Sequence, residues 1–171
     1  SVVFTPTDSG NYTTATGNVT VVVNKALSSI ATLPTATAIA FGQALSNSTL
    51  SGGAGNVAGT FAFATPTVVP AVGSSARSVV FTPTDSGNYT TATGNVTVVV
   101  NKAPSSIATL PTATAISFGQ ALSNSTLSGG AGNIAGSFAF ATPTVVLAVG
   151  SSASSVVFTP TDSGNYTTAT G

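Results

Sequence analysis

Residues 78–103 read SVVFTPTDSGNYTTATGNVTVVVNKA, and the apolar runs near the two ends of this stretch decide the fold. In the second run, Val96, Val98 and Val100 recur at every second position, which is the side-chain period of a β-strand. The first run leads into Pro83, a residue typical of strand ends. The Asp-Ser-Gly-Asn sequence between the runs favours a turn. The stretch therefore predicts two strands separated by a turn.

The same alternation occurs in the residues that precede this stretch. In Ala38–Phe41 and Thr60–Ala64, large apolar side chains alternate with small or polar ones. This alternation places Ile39 and Phe41 on one face of their strand, and Phe61 and Phe63 on one face of theirs. Glycine-rich turn signals separate these runs, and no 11-residue window has a helical apolar period. The sequence therefore predicts an all-β fold, and short strands at regular spacing favour a sandwich.

An internal repeat organises the whole chain. The string SVVFTPTDSGNYTTATG begins at residues 1, 78 and 155, so the period is 77 residues. Residues 1–26 and 78–103 are identical. Residues 26–94 and 103–171 differ at six places, which are Leu27/Pro104, Ala40/Ser117, Val57/Ile134, Thr60/Ser137, Pro70/Leu147 and Arg77/Ser154.

The repeat boundary is predicted at the Asn-Lys-Ala sequence that follows each valine-rich strand. Residues 1–25 are then the C-terminal strands of a preceding repeat. Residues 26–102 form one complete repeat, and residues 103–171 form a repeat that lacks its last strand. Because the boundaries cut through repeats, we expect the chain to be an interior piece of something longer.

The composition excludes most kinds of functional chemistry. Only six residues carry a formal charge, and Glu, His, Cys, Met and Trp are absent. Acid–base and nucleophilic catalysis need titrating side chains, and transition-metal sites need His, Cys or clustered carboxylates. Three dispersed cations cannot form a basic patch for nucleic acid. We therefore expect no enzyme activity, no cofactor, no metal site and no nucleic-acid partner. No run approaches the roughly 18 apolar residues of a membrane span.

The turn between the two strands of residues 78–103 holds the most specific local motif. A Tyr that enters a strand just after an Asp-x-Gly turn is similar to the tyrosine corner of immunoglobulin-like sandwiches, in which the phenol bonds the backbone. The aspartate is expected to hold the turn through its side chain. Because of the repeat, this structural corner is predicted three times, at Asp8 and Tyr12, Asp85 and Tyr89, and Asp162 and Tyr166.

The run from FGQALSNSTLSGGAGNVAGTFAFATP through SVVFTPTDSGNYTTATGNVTVVVNKA resembles the bacterial immunoglobulin-like repeats that occur as long arrays in very large surface proteins. The FTPTD-x-x-NY and VNKA segments carry the resemblance most specifically, and it covers essentially the whole chain. It implies tandem immunoglobulin-like β-sandwich repeats in a secreted or cell-surface stalk, fibre or adhesin. The chain departs from the usual pattern in its lower charge and in the near identity of its repeats.

Three other kinds of site are possible alternatives to this structural interpretation. Calcium requires several carboxylates, whereas each repeat has one Asp. A Lys–Asn isopeptide bond requires a carboxylate beside Lys25 or Lys102, so solvated linker lysines are expected instead. Asn-x-Ser/Thr triplets remain candidate glycosylation sites at Asn11, Asn18, Asn47, Asn88, Asn95, Asn124 and Asn165.

These features predict a structural role for the chain outside the cell. Residues 101–104 join two repeats without a flexible run, and Pro104 stiffens the step, so an extended rod is expected. The expected partners are neighbouring repeats of the same chain or identical chains in a fibre. A carbohydrate- or protein-binding adhesive module, with surface glycans as ligands, is the alternative function.

Two assemblies fit such a fibre. The preferred one is a slice of a longer covalent array. In the other, discrete chains donate residues 18–25 as a strand to the next chain, with Asn18, Val19, Val21 and Val23 in the candidate donor strand.

Overall fold

The alternating apolar runs form β-strands in the computed structural model, which describes residues 1–171. The chain is all-β, as predicted, and its strands form several sheets. The helical residues are two single turns of 3₁₀-helix, Leu45–Asn47 and Leu122–Asn124. Neither has the length that a helix needs to cross a membrane.

The middle repeat, residues 26–102, contains eight strands. They are β3 (Ile30–Thr32), β4 (Thr35–Ala36), β5 (Ile39–Ala40), β6 (Leu50–Ser51), β7 (Ala54–Gly55), β8 (Gly59–Phe63), β9 (Gly73–Pro83) and β10 (Ala92–Asn101). Strands β5, β10, β9 and β8 form one sheet in that order, whereas β3 pairs with β7 and β4 pairs with β6. The two long strands β9 and β10 are antiparallel, and Val100 at the end of β10 pairs in parallel with Ile39 of β5.

The hydrophobic core of the middle repeat comes from the predicted alternation. Val96, Val98 and Val100 are 6%, 0% and 2% exposed, so one face of β10 is buried. They pack in one cluster with Ile39, Leu45, Phe63 and Val79. Ala36 of β4 and Leu50 of β6 pack against this cluster from the other strand pairs. The core therefore lies between the four-stranded sheet and the short pairs, which is consistent with a β-sandwich.

The other two parts of the chain contain fewer of these strands. Residues 1–25 form one hairpin, β1 (Val2–Phe4) and β2 (Ala15–Gly17), in which Val2 pairs with Gly17. Residues 103–171 contain β11 (Ile107–Thr109), β12 (Thr112–Ala113), β13 (Leu127–Ser128), β14 (Ala131–Gly132), β15 (Gly136–Phe140), β16 (Val156–Pro160) and β17 (Ala169–Thr170). Gly171 corresponds to Gly94 of β10, so this repeat presents only the beginning of that strand.

The sandwich depends on glycine where β7 crosses a phenylalanine ring. A Cβ atom on Gly55 would overlap the ring of Phe81, which is 1% exposed and cannot move aside into solvent. We expect Gly55→Ala to lower the free energy of unfolding of the middle repeat by about 1–3 kcal/mol, the usual cost of overpacking a core. Urea unfolding followed by circular dichroism measures this change.

Gly17→Ala is the matched control for this substitution. Gly17 also lies in a strand, but nothing lies within 4 Å of the position that its Cβ would take. The control should shift the free energy of unfolding by less than about 0.5 kcal/mol. Equal unfolding midpoints for the two variants would contradict the close approach of β7 to Phe81.

Candidate functional site: the joint between repeats

The connection between the middle and third repeats is very short. Strand β10 ends at Asn101, and Ala103 already forms an isolated parallel bridge with Tyr166 of the third repeat. The Ala103 amide donates to the carbonyl of Asn165 at 2.9 Å, and the Thr167 amide donates to the carbonyl of Ala103 at 3.0 Å. One residue, Lys102, therefore separates the last strand of one repeat from the first hydrogen-bonded residue of the next.

The linker lysine is itself bonded to the following repeat. The ammonium of Lys102 donates a hydrogen bond of 2.6 Å to the carbonyl oxygen of Ser163, which lies in the Asp-Ser-Gly-Asn turn. At the preceding joint, Lys25 donates to the carbonyl of Ser86 at 2.7 Å. Hydrogen bonds from a charged donor are stronger than neutral ones, although solvent exposure reduces the gain. The same contact thus occurs at both joints.

An aromatic contact links the two repeats beside this hydrogen bond. The rings of Phe41 and Tyr166 lie with their centroids 5.6 Å apart and their planes at 78°, which is an edge-to-face arrangement. The amide of Phe41 donates to the carbonyl of Asn101, so the phenylalanine is held at the linker end of its repeat. Tyr166 is held at the other side by its bridge to Ala103. We call Phe41, Asn101, Lys102, Ser163 and Tyr166 the joint.

The predicted corner residues lie together in each of the three turns. In the middle repeat, the Tyr89 amide donates to the backbone carbonyl of Asp85 at 3.1 Å. The Asp85 carboxylate accepts from the backbone amide and the side-chain amide of Asn88, at 3.2 Å and 2.9 Å. The side-chain hydrogen bonds of the turn thus join the aspartate to the asparagine and do not involve the phenol. A phenol-to-backbone bond stays a prediction.

The turns in the other two parts have closely similar bonds. Tyr12 and Tyr166 each donate a backbone bond of 3.1 Å to the aspartate four residues earlier. The Asp8 and Asp162 carboxylates accept from the asparagine that precedes each tyrosine. The three aspartates are therefore engaged within their own turns, and the structure contains no group of three His, Cys, Asp or Glu side chains that would hold a metal ion.

The residues of the candidate donor strand lie on the surface. Val19, Val21 and Val23 are 60%, 75% and 88% exposed, and Asn18 is also exposed. Residues 18–25 belong to no strand. The role of this segment as a donor strand stays a prediction.

The sequence reasoning missed two residues of the joint. Phe41 was expected to share a face with Ile39, yet Ile39 is 4% exposed whereas Phe41 is half-buried and turns its ring towards the next repeat. Ser163 contributes only a backbone oxygen, which no side-chain pattern reveals. The position of Phe41 directly after β5 and before Gly42 is the one signal that distinguishes it from a core residue.

No protein-family model matches this chain, and the comparisons with curated proteins and with solved structures found no match either. The resemblance to bacterial immunoglobulin-like repeats therefore stays a prediction.

Proposed function

We propose that this chain is a structural part of an extracellular stalk, fibre or filament of a bacterial surface protein or adhesin. In this proposal, immunoglobulin-like β-sandwich repeats follow one another as an extended rod, and the chain catalyses no reaction. The observation that carries the proposal is the joint, in which Phe41 contacts Tyr166 and Lys102 bonds Ser163 across a one-residue connection.

The joint supports a regular array because its lysine contact recurs with the sequence period. Lys25 and Ser86 make at the first boundary the contact that Lys102 and Ser163 make at the second. When each repeat contacts only its neighbours through one kind of interface, the array grows by a constant step. A constant step produces a linear or gently curved rod, which suits a stalk.

The surface chemistry supports a place outside the cell. The chain has three cationic and three anionic side chains, and its polar residues are mostly threonine and serine. Little net charge leaves little electrostatic repulsion between neighbouring rods, which favours their lateral association in a fibre. The resemblance of the FTPTD-x-x-NY and VNKA segments to surface-protein repeats points in the same direction.

Antibodies raised against residues 26–102 provide the direct test. We expect them to label intact, unpermeabilised cells that make the protein, or the fibres that those cells release. Antibodies against a cytoplasmic marker are the control, and they should label only permeabilised cells. Labelling by the repeat antibodies only after permeabilisation would overturn the proposed location.

A further inference from the structure

The four-stranded sheet of the middle repeat has two edges of unequal length. Its strand order places β5 at one edge and β8 at the other. Strand β5 is two residues long, whereas β8 spans the five residues Gly59–Phe63 and pairs with β9 without a register shift. Very short strands, bulges, prolines and charged side chains are the usual features that keep a sheet edge from pairing with another chain. The edge at β5 has the first of these features, and the edge at β8 has none.

The pairing of β8 with β9 identifies which backbone groups of β8 are free. The Ala64 amide donates to the carbonyl of Ser78 at 2.9 Å. Because hydrogen-bonded pairs alternate along antiparallel strands, Thr60 and Ala62 also direct their backbone groups towards β9. The alternate residues direct theirs away from β9, to the side where β8 has no neighbouring strand. These residues are Gly59, Phe61 and Phe63, and each presents an unpaired amide and an unpaired carbonyl.

The third repeat has the same edge. Strand β15 lies at the edge of its sheet and pairs with β16 in the register in which β8 pairs with β9. The Ala141 amide donates to the carbonyl of Ser155 at 2.9 Å, as Ala64 does to Ser78. An open groove of about 460 Å³ lies beside β15. Its lining includes Gly130, Ala131, Gly132, Gly136 and Phe138. Because glycines leave this groove unfilled, another chain can reach the edge.

No charge opposes the approach of two such edges. Residues 26–76 and 103–161, which contain β8 and β15, include no charged side chain. On the outer face of β8, Thr60 and Ala62 are short and exposed. On the inner face, the half-buried ring of Phe61 lies 5.1 Å from the ring of Phe81, measured between centroids. Neither face carries a side chain that would block an added strand.

We propose that β8 pairs antiparallel with β8 of a second copy of this chain, and that β15 offers the same edge. The free backbone groups determine the register. Phe61 lies opposite Phe61 of the second copy, and Gly59 lies opposite Phe63 of the second copy. Each of these hydrogen-bonded pairs exchanges two bonds, so the pairing uses every free group of both edges. The interface is two-fold symmetric, as most contacts between identical chains are.

The side chains favour a second copy over another extended peptide. In this register, the two Phe61 rings form an aromatic cross-strand pair on the inner face, and Thr60 lies opposite Ala62 on the outer face. Strands β8 and β15 differ only at Thr60/Ser137, so either strand can pair with the other across two chains. Each repeat of an array carries one such edge, and several weak contacts between two rods act together. The edge therefore joins rods side by side.

Sedimentation velocity of the purified 171-residue chain measures this association. We expect reversible dimers and larger species. The variant T60K/A62K/S137K/A139K should raise the dissociation constant at least about tenfold, because like charges would lie directly opposite each other in the paired edges. The variant S74K/S78K/T82K/T159K is the matched control. It adds the same charge at exposed positions of the central strands β9 and β16, so it should associate like the unmodified chain.

Cysteine cross-linking tests the register, and the chain has no cysteine of its own. Position 60 lies opposite position 62 of the second copy, whereas two copies of position 60 are diagonal neighbours. A mixture of the T60C and A62C variants should form a disulfide-linked dimer at least about ten times faster than either variant alone. The reason is that diagonal neighbours lie about 7–8 Å apart, which is beyond the usual reach of a disulfide.

Three results would each overturn the proposal. The first is a monomeric unmodified chain at about 1 mM, where association weaker than about 4 kcal/mol would be missed. The second is equal association of the two lysine variants, since net charge and not the edge would then control it. The third is a mixture of T60C and A62C that forms dimers no faster than either variant alone.

This inference goes beyond the proposed function, which requires only joints along one chain, and it can fail separately. A monomeric chain would leave an extracellular stalk of single rods intact. Conversely, antibody labelling only inside cells would overturn the proposed location and leave the pairing of the edges untouched.

Discussion

Val98→Asp is expected to unfold the middle repeat at room temperature. Val98 is 0% exposed and belongs to the single cluster that joins both layers of the repeat. A carboxylate there would have no polar partner, so the substitution should cost at least about 4 kcal/mol. A single hydrophobic core in a repeat of 77 residues rarely supplies more than about 3–5 kcal/mol, so little or none would remain. Circular dichroism should show the loss of this repeat's share of the β-sheet signal.

The chain contains its own control for this experiment. Val21 occupies the same place in an identical sequence, residues 18–25 against 95–102, but it is 75% exposed. Val21→Asp should change the free energy of unfolding by less than about 0.5 kcal/mol. Urea unfolding followed by circular dichroism compares the two variants. Similar destabilisation by both substitutions would contradict the burial of β10.

This pair of segments also shows how far the sequence alone could predict the fold. The alternation of Val96, Val98 and Val100 correctly predicted a strand with one buried face, because a period of two is a local property. The identical alternation in residues 18–25 forms no strand. A strand also needs a neighbour for its backbone hydrogen bonds and a layer to cover its apolar face, and neither condition is written in the segment itself.

The lengths and pairings of the strands depend on the same non-local conditions. The sequence predicted a strand at Ser78–Thr82, whereas β9 begins at Gly73 and ends at Pro83. Residues 73–77 at the start of β9 show no apolar alternation, and they form a strand because residues 96–100 of β10 pair with them. The parallel pairing of β5 with β10 joins residues about 60 positions apart, which no local pattern encodes.

The candidate site was predicted only in part. The Asn-Lys-Ala sequence was predicted to mark the boundary between repeats, which stays a prediction, and the Asp-Ser-Gly-Asn sequence forms a turn as expected. The contact between the Asn-Lys-Ala sequence and this turn was not predicted. Lys102 donates to a backbone oxygen 61 residues away, and no side-chain pattern marks such an acceptor. The ring of Phe41 likewise meets that of Tyr166 across a repeat boundary. Contacts between repeats join residues that are distant in sequence, and the periodicity of side chains within one strand does not reveal them.

Phe41→Ala is expected to loosen the joint without unfolding either repeat. Phe41 is half-buried and lies outside the buried cluster of the middle repeat, and its ring packs edge-to-face on Tyr166. Removing such a contact costs about 1 kcal/mol, which raises the population of other repeat orientations about fivefold. If the repeats of the unmodified chain form a rod, small-angle scattering of the variant should show a smaller radius of gyration and the profile of several bodies that move independently.

Phe118→Ala supplies the matched comparison for the joint. Phe118 occupies the same position in the third repeat, but its ring is 78% exposed, so its removal should leave the scattering profile of the single chain unchanged. Lys102→Ala should add to the effect of Phe41→Ala, because it removes the second contact across the same boundary. If Phe41→Ala and Phe118→Ala gave the same profile as the unmodified chain, the aromatic contact would not set the orientation of the repeats. The orientation would then depend on the short connection alone, in which Ala103 pairs with Tyr166 directly after Lys102.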